Sequence, residues 1–356
     1  MKSIVFDSPG KFRFEDRPKP QIKKPTDVLL KVRGIGICGT ELHILHPDAI
    51  HPSIPGIILG HEYTAEVEEV GSAVTEFKPG DTVIVDPHPS CGVCEFCRED
   101  RPDRCTELYF PADHPEFANH PITAGIFKDG AHTNYIVAPA NSLYHISPDV
   151  PFEQAALAEP IACVACAVEK LHVKNGDVAS VLGAGPIGLL FIALLKMNGA
   201  SKIIVSEPSE YRRKKALECG ADIVVDPTKE DIKAVVMRET NNDGVDVSVE
   251  CVGQMFATAC DLARNNGKVM QFGHDEIATP QINVGQLIVR KDLEIHGAFI
   301  GKYMFKRVAE LIESGKLPLD VIASHVIPLS RFQDALDLLR AGQALKVVIV
   351  PEPEDA

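Results

Sequence analysis

The stretch Val178-Ala179-Ser180-Val181-Leu182-Gly183-Ala184-Gly185-Pro186-Ile187-Gly188, followed by the apolar run Leu189 to Met197, decides the fold of the second half of the chain. A strand runs straight into a G-x-G-x-x-G turn and then into a helix. In that order Gly183 permits the tight turn, Gly185 lets the backbone approach a pyrophosphate, and Gly188 lets helix and strand pack closely. Pro186 and Ile187 open the helix, whose N-terminal amides would face the phosphates. A bare motif of this kind could be an ordinary glycine-rich turn. Here the next strand, Lys202 to Ser206, ends in Glu207, 19 residues beyond Gly188, where an acid accepts hydrogen bonds from a ribose. That combination predicts dinucleotide binding. A carboxylate at Glu207 repels an extra 2′-phosphate, so NAD is expected, while Arg212 and Arg213 are either an accommodation for that phosphate or a solvated helix face.

Outward from the loop, strand-length apolar runs alternate with helical stretches: Ala179 to Leu182, Lys202 to Ser206, Ile223 to Val225, Val245 to Glu250 and Lys268 to Phe272. This texture predicts a parallel sheet with crossover helices over residues 151–296. Cys251, Val252 and Gly253, with Phe272 and Gly273, follow two later strands on the edge where open α/β sheets bind ligands. They are cofactor contacts or plain strand exits, and Phe299 is a further candidate contact. Residues 1–150 carry shorter β signals, at Asp27 to Val32, Tyr63 to Val70 and Thr82 to Val85. Beyond 297 the pattern predicts helices over Met304–Ser314 and Ser330–Ala341, the latter capped by Ser330 and stopped by Gly342, and strands near His325 and at Lys346–Val350.

The chain has 356 residues, enough for two domains, and 36 Lys plus Arg against 50 Asp plus Glu give a net charge of −14. Such a charge repels nucleic acid and anionic lipid, and no apolar run approaches membrane-spanning length. The N-terminus has an acid where a signal peptide needs its apolar run, so a cytoplasmic protein is expected.

Of ten cysteines, Cys91, Cys94, Cys97 and Cys105 crowd into the segment 88–106. Two disulfides or an iron–sulfur cluster would also use four cysteines. The C-x2-C spacing favours a closed tetrahedral zinc site, which has no open position and is therefore structural. A second set is dispersed: Cys38 in Gly36-Ile37-Cys38-Gly39-Thr40-Glu41-Leu42-His43, and Gly60-His61-Glu62. Catalytic zinc takes three protein ligands and keeps one exchangeable position, and Cys, His and carboxylate suit it. Each alone reads as a small core thiol or an ordinary histidine.

These motifs together with Glu159-Pro160, the glycine loop and Glu207 resemble, nearly end to end, the zinc-dependent medium-chain dehydrogenases of the alcohol, sorbitol and threonine dehydrogenase superfamily. The resemblance implies a GroES-like catalytic domain (1–150 and 297–356) split around a Rossmann domain, with the active site in the cleft between them. It implies one catalytic zinc on Cys38 and His61, one structural zinc, and the family's habit of dimers or tetramers. Glu62 would be a direct ligand, an exchanging ligand or an outer partner, and Glu159 the ligand used by the polyol branch. Cys163 competes for that position, and it and Cys166 are otherwise buried helical thiols. Thr40 resembles the hydroxyl that bonds the zinc-bound alcohol, and His43 the histidine that passes its proton to water.

The substrate implied is a secondary alcohol of a polyol or sugar alcohol, in some relatives phosphorylated. Gly301-Lys302-Tyr303-Met304-Phe305 and His88 resemble L-threonine 3-dehydrogenase instead. The segment Thr106 to Ile122, with Asp113, His114, Glu116 and His120, is a surface loop, a wall of the substrate pocket or a subunit contact. A catalytically silent, structural relative is the non-enzymatic alternative, distinguished by loss of the zinc residues that this chain keeps.

Overall fold

The computed structural model describes residues 1–352 except 49, 89, 112, 118, 119, 276 and 277, and excluding the Lys302 side chain. It divides into two compact units, Met1–Ala162 with Lys302–Ala356, and Cys163–Gly301. The division falls inside the helix Ala158–Leu171 and after Gly301, whereas the sequence texture changes near 150 and 297.

In the second unit six parallel strands stand in the order Ile223–Val225, Lys202–Ser206, Val178–Leu182, Val245–Glu250, Ala263–Gln271 and Glu294–Gly297. Numbered along the chain this is 3-2-1-4-5-6, the doubly wound Rossmann arrangement. Four of the five residues in the first strand are buried, as expected where helices cover both faces of a parallel sheet. The crossover helices include Pro186–Met197, Glu210–Glu218, Ile232–Glu239 and Phe256–Leu262. The order reverses between Val178–Leu182 and Val245–Glu250, so their C-terminal ends flank the crevice where such sheets take a ligand.

The first unit is built on a seven-stranded sheet. Its path runs Ala323–Pro328, Lys346–Val350, Asp27–Gly36, Glu62–Val70, Thr82–Val85, Leu143–His145, with Tyr135–Pro139 paired to Asp27–Gly36. The late strand Lys346–Val350 thus lies directly against the early one, with Val348 opposite Gly36. A shared core of Ile35, Leu59, Tyr63, Val85, Phe332 and Val347 joins the two ends of the chain.

The second C-terminal helix spans Phe332–Arg340, preceded by a 3-10 turn at Leu329–Arg331. Arg331, not Ser330, is its N-cap, because the Ser330 amide and hydroxyl are taken by the Glu352 carboxylate. Gly342 stops the helix as expected, with φ at +67°.

Candidate active site

Within the second unit the glycine loop is arranged for an anion. Gly183 holds φ at +93° and donates its N–H to Ser206 O at 2.9 Å, a conformation that an L side chain resists. Gly185 caps the helix that Pro186 begins, and the space beside its Cα is open. Glu207 is almost wholly buried. Its two oxygens accept the N–H groups of Ala184 at 2.8 Å and Ser209 at 2.9 Å, so the acid braces the loop as well as ending the strand. Arg213 is committed to Asp226 and to Glu207 O. The buried Arg212 Nε has no partner among the described residues.

The two later strand exits meet this loop. A Cβ on Gly183 would come within 2.9 Å of the Val252 side chain, and Gly273 packs against the backbone of Val252 and Gly253. Fully buried Glu250 organises the turn by accepting the N–H groups of Val252 and Gly253 and the Gln271 amide. Burial, reinforced by Glu250, holds the Cys251 thiol well above its ordinary range. The Phe272 ring turns inward onto Phe191 at 5.1 Å, leaving its backbone at the crevice, while Phe299 is exposed. Gly183, Gly188, Val252, Gly253 and Gly273 are therefore packed together at the strand exits, with Glu207 bracing Ala184 beside them.

Within the first unit Cys38 caps the helix Gly39–Ile44, which directs its sulfur off the helix start. The sulfur atom lies 3.5 Å from Thr40 Oγ1. Donor atoms of Cys38, His61 and Glu62 lie within 4.8 Å of one another, though 22 residues of chain separate Cys38 from His61. The buried His61 Nδ1 has no partner among the described residues. Burial alone would depress the His61 imidazole, but negative charge from Cys38, Glu41 and Glu159 outweighs it and raises its pKa to about 10. An imidazole gathered with a cysteine sulfur and a carboxylate fits a cation such as zinc. Glu159 is nine-tenths buried and close enough for its charge to act on both His61 and Lys346, but it stands outside the tight three-residue group. His43 lies on the exposed face of the same short helix as Thr40. Cys163 and Cys166 are buried along the Ala158–Leu171 helix.

Three partners escape sequence reasoning. Lys346 grips both Glu62 oxygens, at 2.7 and 2.8 Å, and donates to Ile37 O. Glu41 accepts the Cys38 N–H at 2.9 Å and faces His132 Nε2 at 2.8 Å, both side chains being fully buried. Burial works to raise the Glu41 carboxyl, and the His132 and His61 rings overcome this to hold it below its usual range. A lysine opening the otherwise apolar run Lys346–Val350 was the one local signal available.

The cysteine lobe is separate. Sulfur atoms of Cys91, Cys94, Cys97 and Cys105 gather within 4.8 Å, and no disulfide joins the described cysteines. Cys91 to Cys105 is 3.6 Å and Cys91 to Cys97 is 4.0 Å, close to the ~3.8 Å separating sulfurs bound at ~2.3 Å to a tetrahedral zinc. Backbone N–H groups of Cys97 and Thr106 lower the Cys94 thiol to about 6, which favours the thiolate a metal needs. Burial raises Cys97 to about 12. The excursion that follows closes on itself through Tyr109 and Pro121. Its Phe110 and Phe117 pack on Phe127, and His120 sets its ring 5.2 Å from His51; residues 112, 118 and 119 lie outside the described set.

A Rossmann crevice and a Cys-His-carboxylate cluster on a separate β-rich unit define the class: a dinucleotide-dependent, metal-binding dehydrogenase. The GroES-like domain of alcohol dehydrogenases matches residues 24–148, and the zinc-binding dehydrogenase domain matches 186–314. An L-threonine 3-dehydrogenase of Thermococcus kodakarensis is 37% identical over 348 residues, covering 94% of this chain and 93% of that one. An erythritol/L-threitol dehydrogenase of Mycolicibacterium smegmatis is 31% identical, covering 99% and 98%. A zinc-binding dehydrogenase structure from Sinorhizobium meliloti, bound to NADP, superposes with a TM-score of 0.87 at 31% identity, covering 98% and 99%. The chain belongs to the zinc-dependent medium-chain alcohol dehydrogenase family and is an oxidoreductase. Among the described residues no helix is long and apolar enough to cross a membrane.

Proposed function

We propose that this enzyme transfers hydride between a secondary alcohol of a polyol or sugar alcohol and NAD, with one catalytic and one structural zinc per chain. The observation that carries the reading is the gathering of Cys38, His61 and Glu62 donor atoms within 4.8 Å of one another. Cys38 and His61 would hold the metal, Glu159 would complete its ligand set, and Cys91, Cys94, Cys97 and Cys105 would hold the structural ion. When bound, zinc supplies a Lewis acid that lowers the pKa of a substrate hydroxyl, and the nicotinamide accepts the hydride. Thr40, whose Oγ1 lies 3.5 Å from the Cys38 sulfur, would accept a hydrogen bond from the substrate hydroxyl, and the exposed His43 would pass the proton to water. Glu62, gripped by Lys346, acts as an exchanging or outer carboxylate. Glu207 favours NAD, since both its oxygens are fixed beside the glycine loop where a 2′-phosphate would meet negative charge.

The second reading, oxidation of L-threonine at its 3-hydroxyl, is supported by the Thermococcus relative and by His88, which is buried with Nδ1 3.0 Å from Asp86. Retention of the metal donors argues against a silent structural protein. The protein is taken to be cytoplasmic, with no nucleic-acid or membrane partner. A homodimer, or a homotetramer built from it, is supported by the outer strand Glu294–Gly297, where Ile295 and neighbouring Val289 and Phe299 are exposed. Initial rates across polyols, their phosphates, 2,3-butanediol and L-threonine with NAD and NADP test the reading. Turnover of polyols with NAD supports it, and a preference for L-threonine replaces it with the second.

A further inference from the structure

One buried side chain touches both metal-donor turns without belonging to either. His132 follows the tight stretch Gly130-Ala131 and is fully buried. Through Nε2 it meets Glu41, whose other oxygen holds the Cys38 amide. On its other side the His132 N–H donates to Leu59 O and the Ala131 N–H to Gly60 O, each at 2.8 Å. Gly60 has φ at +100°, and a Cβ there would come within 2.9 Å of the His132 ring. The ring is thus seated against the residue that precedes His61, and its edge is closed by Phe332 at 4.9 Å.

Two apolar side chains would fill this volume without desolvating a carboxylate, and such replacements often cost nothing in stability. What the polar pair adds is direction: it orients the Cys38 amide, and with it the sulfur. We propose that His132 is a positioning residue that locks the Cys38 turn through Glu41 and the His61 turn through Gly60, holding the two donors pre-organised for the metal. This rests on the reading of Cys38 and His61 as metal ligands. Without His132 one Glu41 oxygen loses its partner inside the protein, the Cys38 turn loosens, and the ion escapes more readily.

The test uses zinc-loaded full-length protein and a chromophoric chelator, following release of both ions, with cobalt-substituted protein read by its visible spectrum. His132→Phe keeps the ring shape but loses the donor, and His132→Gln returns an amide nitrogen near the place of Nε2. In His132→Phe the open-site ion should leave roughly 10- to 100-fold faster and the cobalt band should shift, while release from the cysteine lobe stays unchanged. His132→Gln should restore both readouts to within a few-fold of the parent. Should His132→Phe fail to fold, Glu41→Leu/His132→Leu removes the buried charge together with its partner and should show the same faster release. Unchanged release and an unchanged cobalt spectrum in the folded variant would overturn the proposal alone. A parent protein that binds zinc only in its cysteine lobe would overturn the metal reading and this inference with it.

Discussion

The cysteine lobe and the Cys38 site both gather soft donors, yet they are assembled by opposite means. The lobe draws its four sulfurs from residues 91–105, a span in which short hydrogen bonds such as Cys91 N–H and Cys94 N–H to sulfur already set the geometry. The Cys38 site draws on residues that are far apart and uses side chains buried behind the donors, Lys346 behind Glu62 and the Glu41–His132 pair behind Cys38. A closed local site can hold structure. An open site must hold donors in place while leaving a coordination position free, so its rigidity has to come from outside the donor set.

Substitutions that separate the two sites sharpen this contrast. Cys38→Ser should lower kcat/KM by at least about a thousandfold and lower bound zinc from two to one, with little change in Tm; retained activity would break the comparison outright. Cys94→Ser should act in reverse, removing several kcal/mol of stability as seen in urea unfolding, with remaining folded protein still active. An inactive but fully stable Cys94→Ser would mean the two roles are exchanged. Lys346→Met strands a buried carboxylate and should cost about 3–5 kcal/mol in the same unfolding assay, whereas Lys346→Met/Glu62→Gln should recover much of it. The smallest effect belongs to the other unit. Glu207→Ala should shift the NAD-to-NADP ratio of kcat/KM toward NADP by about tenfold, and an unchanged ratio would remove Glu207 from cofactor choice.

The contrast also explains what could be read from sequence. The lobe, the glycine loop and Glu207 are legible because their residues are close in the chain and their spacing is the chemistry. Strand positions were equally clear where runs were short and apolar at their centre, as at Lys202–Ser206. Lys346 and Glu62 stand 284 residues apart, and His132 and Glu41 stand 91 apart, so neither pair leaves a periodicity or a spacing to read. Taken singly they look like a strand-edge lysine and a loop histidine. Ser330 misled for a related reason: it has the chemistry of a cap, but Glu352 claims it.

The pairing of Lys346–Val350 with Asp27–Gly36 has a consequence for biosynthesis. Residues 91–105 can gather their four sulfurs soon after they leave the ribosome, because everything they need is local. Glu62 has to wait for Lys346, made 284 residues later, and until then it is a charged group with no counterpart in a half-built sheet. The Cys38-His61-Glu62 cluster is therefore completed well after the lobe, and a chain cut short before Lys346 would carry the four gathered cysteines and an unpaired Glu62.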